Sequence, residues 1–323
     1  KNPLHKYNSV GIYNVTLTVT SDKGCIAFIT KPFTVNGAVP KANFTVLNNT
    51  GLCSNTDVQI QNISTVDFGN ITKVEIYWDA ANNPAAYDAD INPLPNKIYK
   101  HLYPNFQTPL SKTYQVKFRS YSGINCVDEL TKSITLNASP SVQFLPIPNV
   151  CFNDKPFAIT QASETGGVPG NGVYSGPGVT AGVFNPAAVG PGTYTILYTF
   201  TSTTGNCVDT MSNTITVWSP PLADFSSSTP ACETKAITFT DNSNTPVGTL
   251  TTWTWDFGDG TPIVIRNNNL PFTHTFANWG VYNVRLFVTT SNGCNSVQKI
   301  IPVTINPQPK PNFSTPASSC LPN

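Results

Sequence analysis

Three residue types in this 323-residue chain have spacings that could carry chemistry: eight cysteines, three histidines and two short aspartate clusters. Zinc ligands come as close C-x-x-C pairs and none exists here, so the cysteines point to disulfides instead of a metal centre. His5, His101 and His274 are scattered along the chain, which argues against a catalytic triad or an H-E-x-x-H site. Asp88, Asp90 and Asn92, and separately Asp256 with Asp259, carry the hard oxygens that calcium takes. Neither cluster adds the glutamate or the dense aspartates of a strong site, so both are expected to cap turns. The glycine-rich stretch 166–192 has neither a P-loop lysine nor a dinucleotide-binding pattern followed by a helix, and reads as tight hairpins. Trp218 and Trp279 would stack on sugar rings if exposed; packing at a domain joint or loop is expected. No catalytic residue, cofactor or metal site is therefore expected, and the chain is not read as an enzyme.

Composition narrows the partners. Lys and Arg number 18 against 17 Asp and Glu, a net charge of +1, and only 11% of residues are charged, well below the ~25% usual in soluble domains. Without a basic run, nucleic acid and anionic lipid are excluded as main partners. No window approaches the ~18 uninterrupted apolar residues of a membrane helix, so no membrane insertion is expected. Eighteen Phe, 12 Tyr and 5 Trp supply cores, while 28 Pro and 21 Gly punctuate them.

The elements that must hold the cysteines repeat. Pro40…Phe44…Cys53, Pro140…Phe144…Cys151, Pro221…Phe225…Cys232 and Pro309…Phe313…Cys320 recur with Pro and Phe four positions apart in each, and Phe and Cys seven apart in three and nine in the first. Cys25, Cys126, Cys207 and Cys294 follow glycines, each preceded by Tyr13, Tyr114, Tyr194 or Tyr282 at a near-constant interval. Such periodicity signifies a tandem array. The boundaries follow: a C-terminal part at 1–38, complete repeats at 39–138, 139–219 and 220–306, and an N-terminal start at 307–323. Prolines at the joints, among them Pro140, Pro220 and Pro307, suit short stiff linkers. The sequence at Lys1 has no signal-peptide character, and the chain reads as a window of a longer polypeptide.

Within each repeat, stretches such as Tyr13-Asn14-Val15-Thr16-Leu17 and Tyr282-Asn283-Val284-Arg285-Leu286 alternate apolar and polar residues, as half-buried strands do. No stretch shows helical periodicity. The fold class is all-β, a tandem array of sandwiches. With two cysteines per repeat, the expected bridges are Cys53 with Cys126, Cys151 with Cys207 and Cys232 with Cys294, leaving Cys25 and Cys320 to partners outside the chain. These loops would close about 73, 56 and 62 residues, each worth roughly 4 kcal/mol in the chain-entropy model. Persistent disulfides imply an oxidising, extracellular compartment.

Residues 253–262, Trp-Thr-Trp-Asp-Phe-Gly-Asp-Gly-Thr-Pro, followed by His274-Thr275-Phe276 and Gly280-Val281-Tyr282-Asn283-Val284, resemble the PKD domain through essentially all of 220–306. His5-Lys6-Tyr7 and Gly11-Ile12-Tyr13 look like the last strands of another. Repeat 39–138 resembles a divergent relative, with Tyr77-Trp78-Asp79 in the signature's place, no Gly-Asp-Gly turn, and an insertion over 80–112. In repeat 139–219, Gly172-Val173-Tyr174-Ser175-Gly176-Pro177-Gly178-Val179 and Phe184-Asn185-Pro186…Gly190-Pro191-Gly192-Thr193-Tyr194 resemble an Ig-like repeat found beside PKD domains in large surface proteins of gliding Bacteroidetes. Trp255 is expected in the core and the recurring Tyr at a tyrosine corner. Asp209-Thr210-Met211 resembles a Bacteroidetes O-glycosylation acceptor at Thr210.

Two functions fit these features. One is a non-catalytic structural and adhesive stalk of a cell-surface fibre, resembling gliding-motility adhesins. Its partners would be neighbouring repeats of the same polypeptide, and surface polysaccharide or other surface proteins. The other is an accessory region of a secreted polysaccharide-degrading or proteolytic enzyme that binds polymeric carbohydrate.

Overall fold

The computed structural model describes residues 3–315; the expectation for Cys320 lies outside the described residues. Those residues form strands, turns and one 3-10 turn at Pro186–Ala188, with no α-helix among them. The chain divides into two compact units. One holds the chain through Phe144 with Ala162–Val173 and Tyr198–Met211; the other holds Leu145–Gln161, Tyr174–Leu197 and the chain from Ser212.

The first unit begins with an antiparallel hairpin of β1 (Gly11–Thr20) and β2 (Ile26–Val35). Its apolar residues, Ile12, Leu17, Phe28 and Ile29 among them, are exposed. The first sandwich follows, built from β3 (Phe44–Val46), β4 (Val58–Asn62), β5 (Lys73–Tyr77), β6 (Asp88–Asp90), β7 (Ile98–His101), β8 (Ser111–Ser122) and β9 (Cys126–Asn137). Strands 3-4-7 make one sheet and 6-5-8-9 the other. Alternation does the work: in β8, Val116, Phe118, Ser120 and Ser122 point inward while their neighbours face out. Phe44, Ile60, Ile76, Phe118 and Leu136 fill the space between the sheets.

The middle strands are β10 (Val142–Phe144), β11 (Val150–Cys151), β12 (Phe157–Ala158), β13 (Ala162–Glu164), β14 (Gly170–Ser175), β15 (Val179–Thr180), β16 (Val183–Phe184), β17 (Gly192–Ser202) and β18 (Val208–Trp218). Strands β14, β17 and β18 each run through both units, and β10 pairs with β13 inside the first. In the second unit β12, β16 and β15 form a small sheet and β11 pairs in parallel with the end of β18.

The last sandwich comprises β19 (Phe225–Ser227), β20 (Ala231–Cys232), β21 (Ala236–Asp241), β22 (Leu250–Asp256), β23 (Val264–Arg266), β24 (Phe272–Thr275), β25 (Gly280–Thr290) and β26 (Lys299–Asn306). Its sheets are 19-21-24 and 20-26-25-22-23. Trp255 is buried at the centre, edge-on to Phe225 at 5.0 Å and to Phe239 at 5.7 Å. The tyrosine corners are present: Tyr13, Tyr194 and Tyr282 donate through their hydroxyls to the carbonyls of Ser9, Val189 and Asn278. Tyr114 instead packs its ring on Tyr103, 4.1 Å away.

Candidate functional site: the cross-linked joints

The expected pairing within repeats is wrong. Cys53 is bonded to Cys207 and Cys151 to Cys294, each with Cα atoms 5.5 Å apart, while Cys25, Cys126 and Cys232 are free thiols. The reason is strand length. Cys126 opens β9, and Cys53 bridges in parallel to Asn137 at the other end of that strand. At ~3.4 Å per residue those two cysteines stand roughly 37 Å apart, far beyond the ~7 Å that a disulfide tolerates between Cα atoms. The same holds for Cys151, whose partner on β18 is Trp218, and for Cys232, opposite Asn306 on β26. Each early cysteine thus lies opposite the far end of a long strand, β9, β18 or β26, and the bridged late ones lie in the connections β17–β18 and β25–β26.

Both bridges lie beside the peptide linker, and the surrounding hydrogen bonds repeat. Ser54 N donates to Asn137 O at 2.9 Å, and Phe152 N donates to Trp218 O at 2.9 Å, fixing each cysteine turn to the last strand of its own sandwich. Two residues after each early cysteine an asparagine reaches across. Asn55 Nδ2 donates to Val208 O at 3.2 Å, and Asn153 Nδ2 donates to Asn295 O at 3.0 Å, in both cases the carbonyl following the late cysteine. At the first joint the backbones touch. A Cβ on Gly205, which has φ +73°, would fall 2.2 Å from Asn137 Nδ2, and one on Gly51 would fall 2.7 Å from Gly205 O. Sequence reasoning missed these asparagines and glycines; the shared Cys-x-Asn at 53–55 and 151–153 was the available signal.

Backbone, disulfide and asparagine hydrogen bond thus connect the two segments of chain at each bridge at several points. In the chain-entropy model, loops of 154 and 143 residues correspond to roughly 5 kcal/mol each.

The other singled-out residues are occupied with scaffold. Asp256 accepts from Gly258 N at 3.0 Å and Arg285 Nη1 at 2.9 Å. Asp259 accepts from Thr261 and lies 2.8 Å from His274 Nε2, whose ring stacks on Phe257. Burial pushes the Asp259 carboxyl up, but the hydrogen bonds from Thr261 and His274 outweigh it and hold it below the usual range. A folded-state value below the unfolded 3.8 contributes stability above that pH, lost as pH falls through the folded value. Asp259→Asn is therefore expected to destabilise the last sandwich by about 1.5–3 kcal/mol at neutral pH. Thermal melts followed by Trp253 and Trp255 fluorescence should show the gap to wild type closing below about pH 4.

Asp90 accepts from Lys97, Tyr99 and Asn92 N, and Asp88 accepts from Trp78 Nε1 at 2.7 Å. His5 lies edge-on to Tyr7. Trp218 is half-buried, whereas Trp279 is 65% exposed, against the expectation that it packs. Thr210 is exposed on β18 beside Asp209, whose carboxylate accepts from Val142 N.

Register also refines how the first sandwich corresponds to the last. Ile76 faces Phe118 as Trp255 faces Leu286, so Trp78 stands where Phe257 does, not at the signature tryptophan. His101 stacks on Trp78 at 4.8 Å and lies edge-on to Tyr103, as His274 does with Phe257 and Phe276. Where the last sandwich covers this stack with Asp259, the inserted loop leaves a cleft of about 430 Å³ lined by Trp78, Asp79, Tyr87, Asp88, His101 and Tyr114. Burial holds the His101 imidazole below its ordinary pKa.

Residues 218–305 match the PKD domain family, so a PKD domain is found there. The PKD1 domain of Vibrio anguillarum Epp is 23% identical; the match covers 27% of this chain and 95% of that one, at TM-score 0.23. The PKD1 domain from the Vibrio cholerae metalloprotease PrtV is 24% identical over 26% of this chain and 98% of that one, at TM-score 0.22. Extracellular domains 3–5 of Drosophila OTK are 11% identical over 84% of this chain and 100% of that one, at TM-score 0.29. No curated protein matches.

Proposed function

We propose that the chain is a non-catalytic, load-bearing segment of an extracellular stalk, with repeats at 39–138, 139–219 and 220–306 clamped one to the next. The observation that carries this reading is the pair of disulfides that cross successive joints in the same register. A cross-link placed between repeats adds little to one repeat's core and much to the resistance of the joint. Its persistence requires an oxidising compartment. The chain's near-neutral surface and its tandem sandwiches suit a surface fibre of the gliding-adhesin kind, with Thr210 as an exposed acceptor for O-glycosylation. Antibody against 39–306 should label intact cells of the source organism without permeabilisation, and labelling that needs permeabilisation would overturn the extracellular assignment.

A second reading, the polymer-binding accessory region of a secreted enzyme, is favoured by the aromatic cleft around Trp78 and Tyr87 and by exposed Trp279. Aromatic faces beside carboxylates are what a sugar ring engages. Affinity electrophoresis through soluble polysaccharides decides it: this reading expects retardation that Tyr87→Ala or Trp279→Ala weakens, and unretarded wild type sinks it.

A further inference from the structure

Cys126 and Cys232 are free, yet each occupies a setting that is bridged elsewhere in the same chain. Around Cys232, Glu233 N donates to Asn306 O at 2.9 Å and Lys235 N to Cys232 O at 3.2 Å. At bridged Cys53 the matching bonds are Ser54 N to Asn137 O at 2.9 Å and Thr56 N to Cys53 O at 3.2 Å; at bridged Cys151 they are Phe152 N to Trp218 O at 2.9 Å and Asp154 N to Cys151 O at 3.0 Å. All three cysteines sit in parallel register with the end of the last strand. Cys126 has the complementary setting. Its thiol donates to Gly37 O at 3.0 Å, and Ile124 N donates to Asn36 Oδ1 at 3.0 Å, so its turn meets the chain just after β2. Bridged Cys207 meets the chain at the end of β9 in a similar way, its sulfur 3.9 Å from Asn137 O.

We infer that Cys126 and Cys232 are half-clamps: Cys232 takes the turn cysteine of a repeat of this kind placed after it, and Cys126 takes the exit cysteine of one placed before it. The inference rests on the clamped-joint reading and extends it from two bridges to a rule: the exit cysteine of one repeat bonds the turn cysteine of the next. The chemistry is thiol–disulfide exchange. Two thiols lose two protons and two electrons as the S–S bond forms, and one glutathione disulfide is reduced to two glutathiones.

The test supplies the missing neighbour. The chain through Gln308 is followed by a second copy of residues 221–306, which keeps the native linker spacing. It is folded in a glutathione redox buffer, alkylated without reduction and mapped as peptides. Cys232 should become protected from alkylation and linked to the copied Cys294. A mirror chain, with a copy of 220–306 in place of residues 1–36, should link the copied Cys232 to Cys126, so that one misfolded fusion does not decide the matter. Alkylated Cys232 and Cys126 in chains whose Cys53–Cys207 and Cys151–Cys294 bridges have formed would overturn the inference alone. A disulfide between two separate chains on a non-reducing gel would overturn it too. Loss of the two native bridges in the unmodified chain would instead remove the clamped-joint reading, and this inference with it.

Discussion

Pulled from its ends under oxidising conditions, the chain is expected to lengthen between its bridged joints by at most about 190 Å, against about 820 Å after reduction, at ~3.4 Å per residue. The bridges interlock, because Cys151 lies inside the loop closed by Cys53 and Cys207. Three backbone segments therefore connect the two joints, from Cys53 to Cys151, Cys151 to Cys207 and Cys207 to Cys294, of about 98, 56 and 87 residues. The shortest goes taut first and sets the limit. Once reduced, the only route is the whole backbone from Cys53 to Cys294. Load entering the first sandwich passes from β3 directly to Cys53 and leaves the rest of that sandwich as a shielded loop. At the other end it passes from Cys294 along β26. Bridges within repeats would instead have let every repeat yield a short length in turn. Equal length gains with and without reductant would contradict the interlocked arrangement.

Removing one clamp should have the next largest effect. Cys151→Ala with Cys294→Ala opens a loop of 143 residues, and the chain-entropy model sets the loss in unfolding free energy at roughly 5 kcal/mol. Hydrogen exchange should place the change at the joint, with faster exchange at Phe152 N, which donates to Trp218 O. Cys25→Ala removes an exposed free thiol and serves as the reference. Denaturation in which the double variant matches Cys25→Ala would mean that the clamp adds nothing to stability.

The residues that make the sandwiches were legible because their signals are local. Alternation in 282–288 gives β25, the Trp253-Thr254-Trp255 run gives a core strand, and the recurring tyrosine gives the corner at Ser9, Val189 and Asn278. The pairing of the cysteines was not, because cysteines recurring in phase fit bonds within a repeat and bonds to the next one equally well. What separates the two is the strand between Cys126 and Asn137: a run of that length carries the chain across the whole sandwich. The exposure of Trp279 was not legible, because aromatic content says nothing of which side of a loop a ring takes. The cleft at Trp78 was hidden for a different reason. It arises where the inserted loop replaces the Gly-Asp-Gly turn, and the carboxylate there, Asp88, bonds Trp78 Nε1, whereas Asp259 meets the His274 ring.

Non-reducing peptide mapping of the purified chain, alkylated before digestion, tests the cross-linked joints most directly. The expected map links the Cys53 peptide to that of Cys207 and the Cys151 peptide to that of Cys294, with Cys25, Cys126 and Cys232 carrying the alkyl label. A map linking Cys53 to Cys126 or Cys151 to Cys207 would contradict it.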